Sequence, residues 1–269
     1  MSTGPARQAS AWAAFTRTRA SGFALIVLCL LLWEVSTRLG WVVSDNFPPF
    51  SQVLVAGAGG LASGELLQVL GSSLYRMLAG YVIACVAGVA FGLVLGMSRL
   101  LDTLVRPLIE VLRTLPSPAI VPPLILFLGV DDALKICIIG LAAFFPVFVN
   151  TFGGVRSVDE TMRLTARTLG LSASQTLRKI MLPAVLPSAL AGMRISLSLS
   201  LVITVVAEMI SGASGVGYFL NLMQYALRAD LMYAAIIGVS AAGYLLNRLF
   251  LAAERRVLHW HPSARGDAP

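Results

Sequence analysis

The chain is poor in charge. Asp, Glu, Lys and Arg make up only 12% of its 269 residues, against 57% hydrophobic residues. A soluble globule carries about 25% charge to cover its surface, so bilayer hydrocarbon is the solvent this composition tolerates. Lysine occurs only as Lys135 and Lys179, preceded by Leu134 and Arg178. Neither can be the Gly-Lys of a phosphate loop, which excludes self-sufficient ATP hydrolysis of that kind. The two histidines, His259 and His261, flank Trp260 near the end, with no cluster of Cys, Asp or Glu beside them. That is a poor metal-ligand set, and no metal or other cofactor is expected. The cysteines, Cys29, Cys85 and Cys137, are odd in number and each lies in an apolar block. They exclude a disulfide framework and read as small buried hydrophobes. The net charge of +7 is scattered between apolar blocks without an aromatic-interleaved basic patch, so nucleic acid is not an expected partner.

What the sequence does have is long apolar runs. A hydrocarbon core needs about 20 mainly apolar residues per helix. Six blocks qualify: Gly22–Thr37, Leu74–Met97, Ala119–Leu128, Leu134–Phe152, Leu186–Ile210 and Leu231–Ala252. The third is interrupted, with Pro107, Pro116 and Pro118 before it and Pro122 and Pro123 inside it. Each proline removes a backbone donor, so a bent or broken helix is expected there. Broken backbone at membrane depth survives only where protein or a water-filled cavity covers it. With the N-terminus placed in the cytoplasm, Arg38, Arg76, Lys135 and Arg228 fall outside and the other sixteen of the 20 basic residues inside. That asymmetry orients the chain with both termini cytoplasmic. Arg7, Arg17 and Arg19 precede the first run as in a signal n-region. No small-x-small cleavage site follows, so an uncleaved first span is expected. The fold class is therefore all-α: a polytopic membrane protein of six helices. A single domain over residues 1–269 is expected, with its core helices in about 72–252.

The largest cytoplasmic loop, about 153–185, is unusually well punctuated. Ser157-Val-Asp-Glu160 has the spacing of a capping box and should open a helix reaching Leu169. Gly170 supplies a left-handed turn. Ser172-Ala-Ser-Gln175 is a second capping box, opening a short helix that Pro183 is expected to end. A helix–Gly–helix of this kind is either an interfacial element on lipid headgroups or a docking knob for a cytoplasmic partner.

The run Thr165-Ala-Arg-Thr-Leu-Gly170, followed by Ile180-Met-Leu182-Pro183, resembles the cytoplasmic loop of bacterial ATP-binding cassette import permeases. That family's pattern is Glu-Ala-Ala, three residues, Gly, nine residues, Ile, one residue, Leu-Pro. Ala166, Gly170, Ile180, Leu182 and Pro183 fall on it, whereas Leu164 stands where the family has Glu and Thr165 where it has the first Ala. The resemblance covers about Pro48 to Trp260. It includes Pro107-Leu-Ile-Glu110, Thr114-Leu-Pro-Ser-Pro118 and Phe144-Phe-Pro146. Val205-Val-Ala-Glu208, Gly215-Val-Gly217-Tyr218 and Arg255-Arg-Val-Leu-His-Trp260-His are similar to the branch that imports aliphatic sulfonates, taurine and nitrate. The resemblance implies the importer-permease fold of the bacterial inner membrane. It also implies that Ala166, Gly170, Leu171, Ile180, Leu182 and Pro183 engage a separate ATPase subunit. A binding protein outside the cell membrane and a second permease copy in a homodimer are the other implied partners, with lipid around them.

Two further patterns stand out. Gly80, Ala84, Gly88, Gly92 and Gly96 recur every four residues, a small-residue ladder for close helix packing within the subunit or across a dimer. Ser196, Ser200, Thr204 and Glu208 form a polar stripe. Hydroxyls can bond their own helix, but an ionisable Glu208 inside a span needs a reason. Ser200, Thr204 and Glu208 either line the translocation pathway or, for Glu208, pair with a neighbouring helix as a strut. Asp131 and Asp132 mark an external turn.

Rival functions are weaker. Gly212-Ala-Ser214-Gly215 matches the short Gly-x-Ser-Gly pattern of rhomboid intramembrane proteases, but a serine nucleophile needs a base. The histidines lie beyond the last span, on the opposite face from Ser214. A secondary transporter would show internal repeats and membrane-centre charges; no repeat is visible. A channel has the same kind of spans but no need of the docking loop.

Overall fold

The computed structural model describes residues 19–42, 44 and 46–260, and every regular element among them is helical. Hydrocarbon imposes this, because a span must pair its backbone N–H and C=O groups within itself. The elements are α1 (Arg19–Arg38), α2 (Phe50–Ala62), α3 (Glu65–Met97), α4 (Arg99–Thr114), α5 (Val121–Leu128), α6 (Asp132–Arg156), α7 (Glu160–Thr168), α8 (Ala173–Thr176), α9 (Leu182–Ser211), α10 (Val216–Tyr225) and α11 (Ala229–Val257). Four helices are long and apolar enough to cross a membrane: α3, α6, the continuous run Ala173–Ser211 and α11. The 20 residues of α1 rise about 30 Å, the thickness of the hydrocarbon core. Arg7, Arg17 and Arg265, used above for orientation, lie outside the described residues.

The third expected span is broken where its prolines predict. Helix α4 carries Pro107 inside it and ends at Thr114; a single 3-10 turn, Ser117–Ile120, precedes the 8-residue α5. Pro122 and Pro123 sit in the first turn of α5, where a missing N–H is harmless.

The chain forms two compact units. The first comprises the described part of Met1–Glu65 together with Met223–Ala234; the second comprises Leu66–Leu222 and the described part of Ala235–Pro269. In the first unit an aromatic cluster surrounds Trp33. Its ring centroid lies 5.2 Å from that of Phe47 and 5.5 Å from those of Phe50 and Tyr233. The indole N–H donates to the Pro48 carbonyl at 3.0 Å. Glu34 accepts from Arg38 Nε at 2.6 Å and from the Ser51 amide at 2.9 Å.

In the second unit α6 is the central strut. The glycine ladder of α3 lies along it: a Cβ added at Gly80 would come within 2.8 Å of Ile139, at Gly88 within 2.8 Å of Val147, at Gly92 within 2.7 Å of Thr151 and at Gly96 within 2.7 Å of Val155. The ladder therefore packs within the subunit, the first of its two readings. The backbones approach too closely for side chains between them, which is the packing gain of small residues where hydrophobicity drives nothing. On its other side α6 meets α9, where a Cβ at Gly192 would strike the Pro146 carbonyl and Asn150. Leu134, Ile138, Ile139 and Ala142 of α6 form a core with Val121, Ile203 and Ala207. Thr151 Oγ1, against Gly92, is buried with no hydrogen-bond partner.

Candidate functional site

Two constellations lie at opposite ends of α6. At its C-terminal end is the loop singled out in the sequence. Ser157 does not open α7: its hydroxyl donates back to the Gly154 carbonyl at 2.9 Å, and the helix starts at Glu160. The cap is Asp159, whose carboxylate accepts from the Thr161 amide at 2.8 Å. That backbone bond holds the Asp159 carboxyl below the usual carboxylate range. Ser157 is instead absorbed by the end of α6, where hydroxyls commonly bond the preceding turn.

The end of α7 follows the sequence closely. Gly170 has φ +64°, and the Leu171 amide reaches back to the Ala166 carbonyl at 3.0 Å. This six-to-one bond with a left-handed residue is a Schellman close. It accounts for both small residues: Gly170 takes the positive φ, and Ala166, 1% exposed, lets α7 pack flat. A Cβ at Gly170 would meet nothing within 4 Å, so only backbone strain selects glycine there.

Ser172 then forms a reciprocal capping box. Its hydroxyl accepts from the Gln175 amide at 3.3 Å, and its amide donates to Gln175 Oε1 at 2.9 Å. Pro183 does not end this helix. The run passes from α8 through a π turn, Leu177–Met181, into α9, with Pro183 in the first turn of α9. The wider π turn accommodates the proline, whose ring and missing N–H an unbroken α register would not. Ile180 and Pro183, with Thr161, Met162, Thr165, Lys179 and Ala184, line a groove of about 490 Å³. Leu164 and Leu169 stand exposed beside it and Leu182 is partly exposed.

At the other end of α6, three helices contribute charge to one buried cluster. The Arg76 guanidinium from α3 uses every nitrogen. Nε donates to Asp132 Oδ1 at 2.7 Å, one terminal nitrogen to Glu208 Oε1 at 2.8 Å, and the other to Ser214 Oγ at 2.6 Å. Glu208, fully buried, also accepts from Ser73 Oγ at 2.7 Å and from the Gly217 amide at 3.1 Å. Ser73 Oγ accepts in turn from the Val216 amide at 2.8 Å. Glu208 and Ser73 thus satisfy orphan amides at the start of α10, as side-chain caps do. Gly215, φ +101°, lies so near the Glu208 carboxylate that a side chain there would collide with it. Lys135 Nζ is 4.0 Å from Asp132.

Ser200 and Thr204 are buried and donate to the Ser196 and Ser200 carbonyls at 2.8 and 2.7 Å. Ser196 donates to the Ala143 carbonyl of α6 at 2.7 Å. The polar stripe thus faces the α6 interface, and Ser200, Thr204 and Glu208 are each at most 1% exposed. Ser214 receives a bond from a guanidinium, which cannot take a serine proton. Ser73 escaped the sequence reading, and Arg76 and Asp132, read there only as external charges, are joined here, with Arg76 buried. One clue was present: Arg76 stands inside the apolar run Leu74–Met97, as Glu208 stands inside another, and each needs a counter-charge.

A polytopic all-helical membrane protein with a locally capped helix–glycine–helix loop is the class these features define. The family described as the binding-protein-dependent transport system inner membrane component matches residues 54–259, and the chain belongs to it. A Bacillus subtilis (strain 168) protein named as an aliphatic sulfonates transport permease, SsuC, is 34% identical over 245 residues, 91% of this chain and 89% of that protein. The taurine transport system permease protein TauC of Escherichia coli (strain K12) is 32% identical over 243 residues, 88% of each chain. The inward-facing structure of the MetNI methionine ABC transporter shares the fold, with TM-score 0.63, 18% identity, 71% of this chain covered and 95% of that one. The protein is a membrane-spanning permease subunit of an ABC importer, multi-pass in the inner membrane.

Proposed function

We propose that this permease forms the path for a small solute with an oxyanion head, of sulfonate, taurine or nitrate type, delivered by an external binding protein and driven by separate ATP-hydrolysing subunits. Two copies make the path as a homodimer, with both termini cytoplasmic. The chain acts as one transmembrane domain, residues 1–269. Its coupling element is 153–185, where Ala166, Gly170, Leu171, Ile180, Leu182 and Pro183 meet the ATPase. The observation that carries this is the Schellman-closed α7 beside the Ile180–Pro183 groove: a rigid, solvent-facing knob with exposed Leu164 and Leu169, stabilised by its own caps. A knob that moves as one body transmits a push; a frayed loop absorbs it. Glu208 serves as a strut, since its carboxylate is wholly engaged by Arg76, Ser73 and the start of α10. The solute class rests on the named relatives.

The test is co-expression with an ATPase subunit and a binding protein, which are expected to be encoded by neighbouring genes. Gly170→Val should leave membrane amount and topology unchanged, lose co-purification with the ATPase, and lose uptake. A Gly170→Val complex that assembles and transports like the parent would overturn the coupling role.

A further inference from the structure

Helix α9 carries two stripes of opposite fate. The stripe of Ser196, Ser200, Thr204 and Glu208 is buried; the other, through Ala191, Arg194, Ser198 and Val202, is exposed. The run Leu190–Ala207 contains Arg194 as its one charged residue. The sequence count put Arg194 at the inner face, but it lies well inside α9, near Gly192, which packs on Pro146 midway along α6. Among the described residues no carboxylate pairs with Arg194. The exposed side of α3 makes a contrast. Leu78, Val82, Val86, Phe91 and Val94 stand out from it with no charge among them, as a face solvated by lipid tails should. An unpaired guanidinium on such a face costs several kcal/mol in hydrocarbon, so the Arg194 face has a polar surrounding.

We propose that Arg194, with the Ser198 hydroxyl one turn further on, contacts the oxyanion head of the solute in a water-filled stretch of the pathway. The guanidinium fork matches a planar or tetrahedral oxyanion by paired N–H bonds. Ser198 adds a neutral donor, and Ala191 on the other side leaves room. This rests on the reading of the chain as an importer of solutes with an oxyanion head. The same chemistry would hold a phospholipid phosphate, so the experiment separates the two sources.

In the full complex reconstituted in vesicles, with Cys29, Cys85 and Cys137 replaced by Ala, Ser198→Cys should react with a charged, membrane-impermeant thiol reagent. An aliphatic sulfonate supplied with the binding protein and ATP should slow that reaction. Arg194→Ala should keep membrane amount and ATPase co-purification but lower uptake roughly tenfold or more, the scale of one lost charge-assisted contact. Arg194→Lys should retain part of the rate. An unreactive Ser198→Cys, or Arg194→Ala uptake at the parental rate, overturns the proposal. So does an Arg194→Ala defect that disappears when anionic lipid is replaced by zwitterionic lipid, which would assign the residue to headgroups. If the parent complex moves no sulfonate, the solute class falls, while a reactive Ser198→Cys still upholds the aqueous stripe.

Discussion

The two ends of α6 are held together by opposite means. At the Asp132 end, Arg76 joins residues 132 and 138 positions away in the chain, Glu208 and Ser214. At the Arg156 end, the bonds that shape the loop join near neighbours: Asp159 to Thr161, Ala166 to Leu171, Ser172 to Gln175. The first end is buried and every nitrogen of its guanidinium is committed; the second is exposed and capped piece by piece. A part that meets a changing partner must keep its shape unaided, and local caps do that. A part that fastens three helices needs long-range pairs that are expensive to break. The comparison predicts that damage at the Asp132 end removes the protein, whereas damage in the loop removes only coupling.

The largest effect should come from Arg76→Ala. Breaking a buried ion pair from one side costs about 3–5 kcal/mol, most of it the stranded partner. Detergent-solubilised Arg76→Ala should show sharply reduced membrane amount and thermal stability. Pairing Arg76→Leu with Glu208→Leu should recover part of that loss, because neither charge is then left alone. Glu208→Gln should be milder but still reduce the amount of folded protein, and Asp132→Asn milder again, since Asp132 is half exposed. If Glu208→Gln folds normally yet imports poorly, the strut role gives way to the pathway role.

Next comes the glycine ladder. Gly92→Leu must push Thr151 aside and should lower the melting temperature by an overpacking cost of about 1–3 kcal/mol. Gly170→Val follows, at about 1–2 kcal/mol of left-handed strain. Gly170→Asn should be better tolerated, as asparagine visits that region more readily. Both leave stability of the spans unchanged, so a melting curve should not detect them while ATPase co-purification does. Ser172→Ala is the smallest, losing one cap worth about 1 kcal/mol, with partial loss of coupled ATPase activity. A change in global stability from any loop variant as large as that from Arg76→Ala would dissolve the distinction between the two ends.

Hydropathy alone was enough to locate the four long apolar helices, because a lipid-facing helix advertises itself in about 20 contiguous residues. The break before α5, the left-handed Gly170 and the Ser172 box were equally legible, since prolines, glycines and caps act within a few residues. Local spacing misled where two elements competed for one residue. Ser157 has the position of a cap, but the end of α6 takes its hydroxyl and Asp159 caps α7. Pro183 carries the mark of a stop, yet a π turn lets the helix run through it. What only the tertiary structure decided is which helices share a charge and which face of α9 is covered. Arg76, Asp132, Glu208 and Ser214 look like isolated polar residues along the chain. Their pairing depends on α6 lying between the glycine ladder of α3 and Gly192 of α9; the ladder announces a close approach, but no local pattern names the helix it meets. The same packing buries Ser200 and Thr204 and leaves Arg194 and Ser198 exposed, because a helix pressed against a neighbour on one side must show its other side to something else.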